Sequence, residues 1–139
     1  MIQLMYSSSA LARFTDDGLR GLLKLARERN TVADVSGMLL HVDGSFFQVL
    51  EGEPAVIDRL FARIAADRRH ARVVKLLVRD IEARNFPDWS MGFFDGSGRA
   101  AAVPGYRADN GFGDLIGDTR TVLRIVEDFR SGRWRTLAA

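Results

Sequence analysis

The segment from Val35 to Gly52, VSGMLLHVDGSFFQVLEG, constrains the fold of this chain more than any other. Its centre, Asp43-Gly44, lies between two apolar runs. Both residue types tolerate the positive φ that a tight turn between antiparallel strands requires. The segment therefore predicts a β-hairpin and two adjacent strands.

Gln48, on the second predicted strand, is a polar residue on an otherwise apolar face. Side chains alternate between the two faces of a strand, so Gln48 shares its face with Phe46 and Leu50. A primary amide left unpaired in a dry site costs about 1–3 kcal/mol. We therefore expect a hydrogen-bonding partner for Gln48 on this face of the sheet.

The composition limits the chemistry that the chain can perform. At 139 residues, with 47% apolar and 27% charged residues, it has the size and composition of one folded domain. It has no cysteine, which excludes disulfides and thiolate sites, and its two histidines, His41 and His70, lack metal-ligand spacing. We expect no metal site.

Charge and hydropathy also bear on partners and location. The net charge is +2 and both signs are interspersed, so nucleic-acid binding is not favoured. The N-terminus lacks a signal-peptide pattern, and no apolar run approaches the roughly 18 residues of a membrane span. We expect a cytoplasmic protein without a membrane segment.

The remaining pattern predicts an α+β fold. Strands are expected over 2–7 and 72–80, the latter with Val74, Leu76 and Val78 on one face, and a short strand is expected to carry Trp89, Met91 and Phe93. One helix should begin at residue 16 and end near Asn30, and a second should open at Glu53-Pro54 and close at 67–70. The order β-α-β-β-α-β-β is ferredoxin-like, with two helices on one face of a mixed sheet.

The C-terminal part of the chain differs in composition. Residues 96–113 are rich in Gly and Ala and predict a loop. An amphipathic helix should follow from Asp114, with Thr119 as a second possible start, and stop at Gly132. We expect this helix to cover the bare face of the sheet or to pair with another subunit. The amphipathic helix, together with any part of that face that it leaves bare, also leads us to expect a homo-oligomer.

Five elements of the sequence together resemble the BLUF family, the blue-light sensors that use flavin. They are Tyr6, Asn30, Gln48 within FFQVLEG, the run DRRH at 67–70, and the run WSM at 89–91. Their order and spacing are those of the family. The resemblance covers about residues 1–95 and implies a photosensory domain, with 96–139 as a helical extension and no effector domain fused on.

The resemblance implies a non-covalent FAD or FMN between the two helices, above the sheet. Gln48 would lie between Tyr6 and the flavin, and blue light would drive electron and proton transfer from the tyrosine and back, with no net catalysis. The signal would pass to a separate effector protein through the strand carrying Trp89 and Met91. The other implied flavin contacts are Asn30, Arg63, Asp67, Arg69 and His70.

The sequence departs from the family pattern at two positions, and two other functions remain as alternatives to a photosensor. Arg29 stands where the family often has a first Asn, and Ser36 where Thr is usual. An acylphosphatase-like hydrolase shares the topology, but SSSALAR after the first strand is a poor phosphate loop. The other alternative is a ferredoxin-like interaction module without a cofactor.

Overall fold

The computed structural model describes residues 1–10, 15–98 and 103–131, and the side chains of all of these except Asp16 and His70. The elements within them are β1 (Ile2–Ala10), α1 (Asp16–Ala33), β2 (Ser36–Val42), β3 (Ser45–Gly52), α2 (Pro54–Ala66), β4 (His70–Asp80), β5 (Gly92–Asp95) and α3 (Thr119–Arg130). The predicted α+β fold and its order of elements are confirmed.

The strands form one five-stranded sheet in the order β4-β1-β3-β2-β5. Strand β5 runs parallel to β2, and the other neighbours are antiparallel, so the sheet is mixed as predicted. The central strand β3 pairs with its neighbour β1, with Tyr6 opposite Gln48. This register places a phenol and an amide side by side in the middle of the sheet.

The β2–β3 hairpin has the predicted turn. Asp43 and Gly44 have φ values of 48° and 85°, and Val42 pairs with Ser45 across the turn. Two consecutive positive φ values match the right-handed twist of the flanking strands. The turn thereby sets the register that directs Gln48 to one face.

Each face of the sheet has its own apolar core. Helices α1 and α2 pack on one face through Leu19, Leu23, Ile57 and Leu60. Helix α3 packs on the other through its stripe of Val122, Ile125, Val126 and Phe129, against sheet residues that include Met5, Phe47 and Val49. The sheet is therefore covered on both sides.

Two predicted boundaries were wrong on the N-terminal side. Strand β1 continues through Ser7–Ser9 to Ala10, because β3 and β4 supply backbone partners on both of its edges. Helix α1 begins at residue 16 as predicted, with Thr15 as its N-cap, but it continues past Asn30 to Ala33, and Asp34 after it adopts a left-handed conformation with φ 56°. Asn30 therefore lies inside the helix, where it is fully buried.

The prediction that Val74, Leu76 and Val78 share one face was wrong. Val74 pairs with Ser7, whereas Val78 pairs with Leu4, and these two β1 residues lie on opposite faces. The register shifts between them, so Leu76 is an extra residue on β4. A bulge of this kind reverses the face to which each later side chain of the strand points.

The other boundary corrections concern strand and helix ends. Helix α2 ends at Ala66, and His70 already opens β4. Strand β5 begins at Gly92, so Trp89 and Met91 precede it and do not lie on it. Helix α3 begins at Thr119, after a short 3₁₀ turn at Gly113–Leu115, and ends at Arg130. The predicted stop at Gly132 lies outside the described residues.

Among the residues described, none of the helices combines the length and the apolar character needed to cross a bilayer.

We expect Gly37→Ala to lower the free energy of unfolding by about 3 kcal/mol, because a new side chain here meets the main chain of the neighbouring strand. A Cβ at Gly37 would overlap the carbonyl oxygen of Val49, which cannot rotate away. Denaturant unfolding measures the effect. The matched control is Gly21→Ala in α1, where nothing lies within 4 Å and stability should rise by about 0.5–1 kcal/mol. Equal stabilities of the two variants would contradict this account of Gly37.

Candidate functional site

A cleft opens between the sheet and the helices α1 and α2. Its walls are largely apolar, with a few polar groups converging on them, as is typical of small-molecule sites. The lining side chains come from five strands and helices and from the connections that follow α2 and precede β5: Tyr6, Ser8, Leu22, Leu23, Ala26, Arg29, Leu39, Phe46, Gln48, Ile64, Asp67, Arg69 and Met91.

A chain of side-chain hydrogen bonds lies along the floor of this cleft. The Tyr6 hydroxyl donates to Oε1 of Gln48, and Nε2 of Gln48 is 3.4 Å from Sδ of Met91, to which it donates. Tyr6 is 3% exposed and Gln48 6%, so both are shielded from water. The partners that Gln48 was predicted to need are therefore a phenol and a thioether.

The environment of Tyr6 keeps its phenol protonated. Burial raises the pKa of Tyr6 strongly, the positive charge of Arg29 lowers it in part, and the carboxylate of Asp67 raises it further. The hydroxyl is therefore a hydrogen-bond donor at neutral pH. Any oxidation of this ring must be accompanied by movement of its proton.

Arg29 is the residue of the cleft that sequence reasoning missed. In the sequence it stands out only as a departure from a family pattern, yet its half-buried side chain lines the cleft. Burial lowers the pKa of Arg29, and repulsion from Arg63 lowers it further. The helical spacing of Leu22, Ala26 and Arg29, which share one face of α1, could have revealed it.

Two buried polar atoms of α1 have no hydrogen-bond partner within the described part of the chain. They are Nε of Arg29 and Oδ1 of Asn30, a residue with no exposed surface. One is a donor and the other an acceptor, and an unpaired buried group of either kind is costly. They lie on consecutive residues of the helix that forms one wall of the cleft, and they fit a bound group with both acceptors and donors.

The last residues before β5 are held tightly at the edge of the cleft. The carbonyl of Trp89 accepts a hydrogen bond from the backbone N–H of Gly37 at 3.1 Å. The carbonyl of residue 90 accepts from Nδ2 of Asn30 at 2.8 Å, and that of Met91 accepts from Nε of Arg27 at 3.0 Å. The donors belong to β2 and α1. The main chain next to Met91 is thus fixed by the same helix that carries Arg29.

Trp89 and Met91 point to opposite sides of the sheet, contrary to the alternation predicted for one strand. Met91 is buried among the residues under α1 and α2, where it contacts Gln48. Trp89 packs on the other side, with its ring centroid 5.7 Å from Phe86 and 5.5 Å from Phe129 of α3. Of the two, Met91 is the one beside the cleft.

Of the four remaining predicted site residues, two line the cleft. Asp67 and Arg69 line it and form an ion pair in which Nη2 of Arg69 is 2.5 Å from Oδ2 of Asp67. Arg63 is exposed on the last turn of α2 and does not line the cleft. The side chain of His70 lies outside the described residues, so the prediction for it stays a prediction.

The chain matches known proteins in both sequence and structure. The family model BLUF, described as sensors of blue-light using FAD, matches residues 1–92. The alpha subunit of photoactivated adenylate cyclase of Euglena gracilis is 36% identical over 91 residues, which are 64% of this chain and 9% of that protein. The chain spans about a tenth of the length of such curated relatives.

A second relative is the blue light- and temperature-regulated antirepressor BluF of Escherichia coli, 36% identical over 74 residues, which are 53% of this chain and 18% of that protein. Among solved structures, the dark state of BlrB, a BLUF protein, superimposes with a TM-score of 0.73 at 26% identity, over 97% of this chain and 96% of that chain. The likeness thus extends from the sheet to α3.

A ferredoxin-like sheet with a buried tyrosine–glutamine pair in an apolar cleft defines a class of flavin-binding photosensors. The chain belongs to the BLUF family of blue-light sensors, as the match over residues 1–92 shows. The predicted family, and the non-covalent flavin that its domains bind, are confirmed. The residues present fit such a group: Arg29 and Gln48 line the cleft, and Nε of Arg29 and Oδ1 of Asn30 have no hydrogen-bond partner within the described part of the chain.

Proposed function

We propose that Tyr6, Gln48 and Met91 are the light-responsive hydrogen-bond chain of this sensor, with a flavin held in the cleft above them. The observation that carries the proposal is the hydrogen bond from the Tyr6 hydroxyl to Oε1 of Gln48 inside that cleft. It joins an oxidisable group to an amide that can reverse its donor and acceptor ends.

Tyr6 supplies the electron and proton in this proposal. When bound and excited by blue light, the flavin supplies a strong oxidant. The phenol of Tyr6 gives up an electron, and its proton leaves along the hydrogen bond to Gln48. Both return to Tyr6 afterwards, so the sequence of steps is balanced and there is no net catalysis.

Gln48 converts that transfer into a lasting change of hydrogen bonding. Its amide accepts from Tyr6 at one end and donates to Met91 at the other. If the amide rotates or tautomerises, an acceptor faces Met91 and a donor faces Tyr6, and the groups presented to the flavin edge change as well. Two such arrangements give the bistable element that a switch requires.

The cofactor-binding roles follow from the position of each side chain. Asn30 offers its unpaired Oδ1 to a ring N–H, and Arg29 offers its unpaired Nε to an acceptor. Asp67 and Arg69 at the mouth contact the ribityl chain or phosphate of FAD or FMN. We propose the same for Arg63 and His70, which the chain places close to these two.

The output passes through the side of the sheet opposite the flavin. We propose that residues 1–95 are the photosensory unit and that the extension, 96–139, relays its state to a separate effector, with Met91 and Trp89 as signalling residues. The contact of Trp89 with Phe129 of α3 supports this route. An antirepressor and a cyclase among the relatives illustrate two kinds of output.

We also propose that the protein is cytoplasmic and forms a homo-oligomer.

The family match does not favour an acyl-phosphate hydrolase or a cofactor-free interaction module. Both alternatives predict a protein whose absorption is unaffected by blue light.

We expect purified protein, reconstituted with FAD, to be yellow and to show a reversible shift of its flavin absorption to longer wavelength under blue light. The shift follows from the changed hydrogen bonds at the flavin edge. A lit-minus-dark difference spectrum measures it, with free FAD under the same illumination as the control. Flavin-loaded protein whose spectrum does not change would refute the proposed function.

A further inference from the structure

Glu51, at the end of β3, is a carboxylate with no exposed surface and no part in the cleft. Its two oxygens accept five hydrogen bonds. The donors are Nε2 of Gln3 (3.0 Å), Oγ of Ser36 (3.2 Å), the backbone N–H of Asn85 (2.9 Å), Nδ2 of Asn85 (3.3 Å) and the backbone N–H of Phe86 (2.9 Å).

The two backbone donors belong to the connection between β4 and β5, residues 81–91. Glu51 therefore fixes this connection at 85–86, while the contacts to carbonyls 89–91 fix its far end beside the cleft. The few residues between these two anchors have little freedom to shift. The position of Sδ of Met91 against Gln48 thus depends on the anchor at Glu51.

The neighbours of Glu51 are arranged for a negative charge. Arg84 donates to Oγ of Ser36 at 2.8 Å and to the carbonyl of Glu51 at 3.0 Å. Arg79 donates to Oε1 of Gln3 at 2.7 Å. Each guanidinium orients a neutral group so that its hydrogen points to the carboxylate, an arrangement that satisfies a buried charge without a direct ion pair.

We propose that Glu51 is a positioning residue for the light response. By holding residues 85–86 from the sheet, it sets the contact of Met91 with Gln48 on one face and the stacking of Phe86 and Trp89 against α3 on the other. This inference rests on the proposed photosensory function.

Glu51→Gln tests the proposal because it keeps the shape and removes the charge. One oxygen becomes an NH₂ group, and in either orientation that group faces the backbone N–H of Asn85 or of Phe86. We expect the variant to bind FAD. The backbone amides of Asn85 and Phe86 should show faster hydrogen–deuterium exchange, with or without flavin. The return from the red-shifted state to the dark state should become about tenfold faster. Losing a hydrogen bond to a charged group changes the barrier of such a step by roughly that factor.

Two further variants keep the test decisive. Ser36→Ala deletes one donor but keeps both backbone contacts, so it should fold and accelerate recovery less than Glu51→Gln. Asp118→Ala removes the N-cap of α3 at the end of the helix opposite Phe129, so it lowers stability but keeps every contact of Glu51 with residues 85–86, and it should recover at the wild-type rate.

Wild-type recovery in Glu51→Gln, or equal acceleration in Asp118→Ala, would overturn the role of Glu51. A wild-type protein without a light response would instead refute the proposed function itself, so the two failures are distinguishable.

Discussion

Tyr6→Phe is expected to bind flavin and to show no red-shifted state under blue light. The substitution deletes only the hydroxyl, which is the group that donates to Oε1 of Gln48, and leaves the ring in the core. Phenylalanine has no hydroxyl proton to pass to Gln48, and its ring is far harder to oxidise than a phenol. The difference spectrum of FAD-loaded protein should fall to the baseline, measured beside wild type at equal flavin content.

The chain contains its own control for this substitution. Tyr106 is the second of two tyrosines, and it packs against Phe112 on the α3 side of the sheet. Tyr106→Phe should therefore retain the full difference spectrum. A normal red-shifted state in Tyr6→Phe would exclude Tyr6 as the photochemical donor, and loss of the state in both variants would point to a general effect of removing a hydroxyl.

Gln48→Leu should likewise bind flavin and lose the red-shifted state, with a loss of stability as well. Leucine removes the acceptor of the Tyr6 hydroxyl together with the donor to Sδ of Met91. Because the hydroxyl is buried, leaving it unpaired should lower the free energy of unfolding by about 1–3 kcal/mol. Difference spectra and denaturant unfolding measure the two effects separately.

The double variant Tyr6→Phe with Gln48→Leu distinguishes a pairing effect from a packing effect. It has no unpaired hydroxyl, so it should regain much of the stability that Gln48→Leu loses. If the losses from the two single substitutions simply add, the two side chains are not coupled and the proposed switch is incorrect.

Local patterns in the sequence were sufficient for the hairpin and for the face on which Gln48 lies. A turn of Asp43-Gly44 and period-2 alternation depend on neighbours along the chain, and the structure confirms both. The same holds for the start of α1 at its Thr15 cap and for the apolar stripe of α3. Short-range geometry determines features of this kind.

The length of β1 and the reversal of faces in β4 depended on pairing between distant strands. Serines at 7–9 have no strand preference of their own, and they are held because β3 and β4 complete their backbone hydrogen bonds. The extra residue Leu76 likewise has no signature in the sequence, since a bulge is defined only by the partner strand.

The sequence by itself determined the order of elements, the hairpin and the residues that resemble a flavin site. Only the tertiary structure decided that Met91 faces the cleft while Trp89 faces α3, that Arg29 lines the cleft, and that Glu51 holds the connection to β5. The physical reason is that these placements arise from contacts between segments far apart in the chain. Residues 89–91 lie in no regular element, so their side-chain directions follow from the donors on α1 and β2 and from no local periodicity.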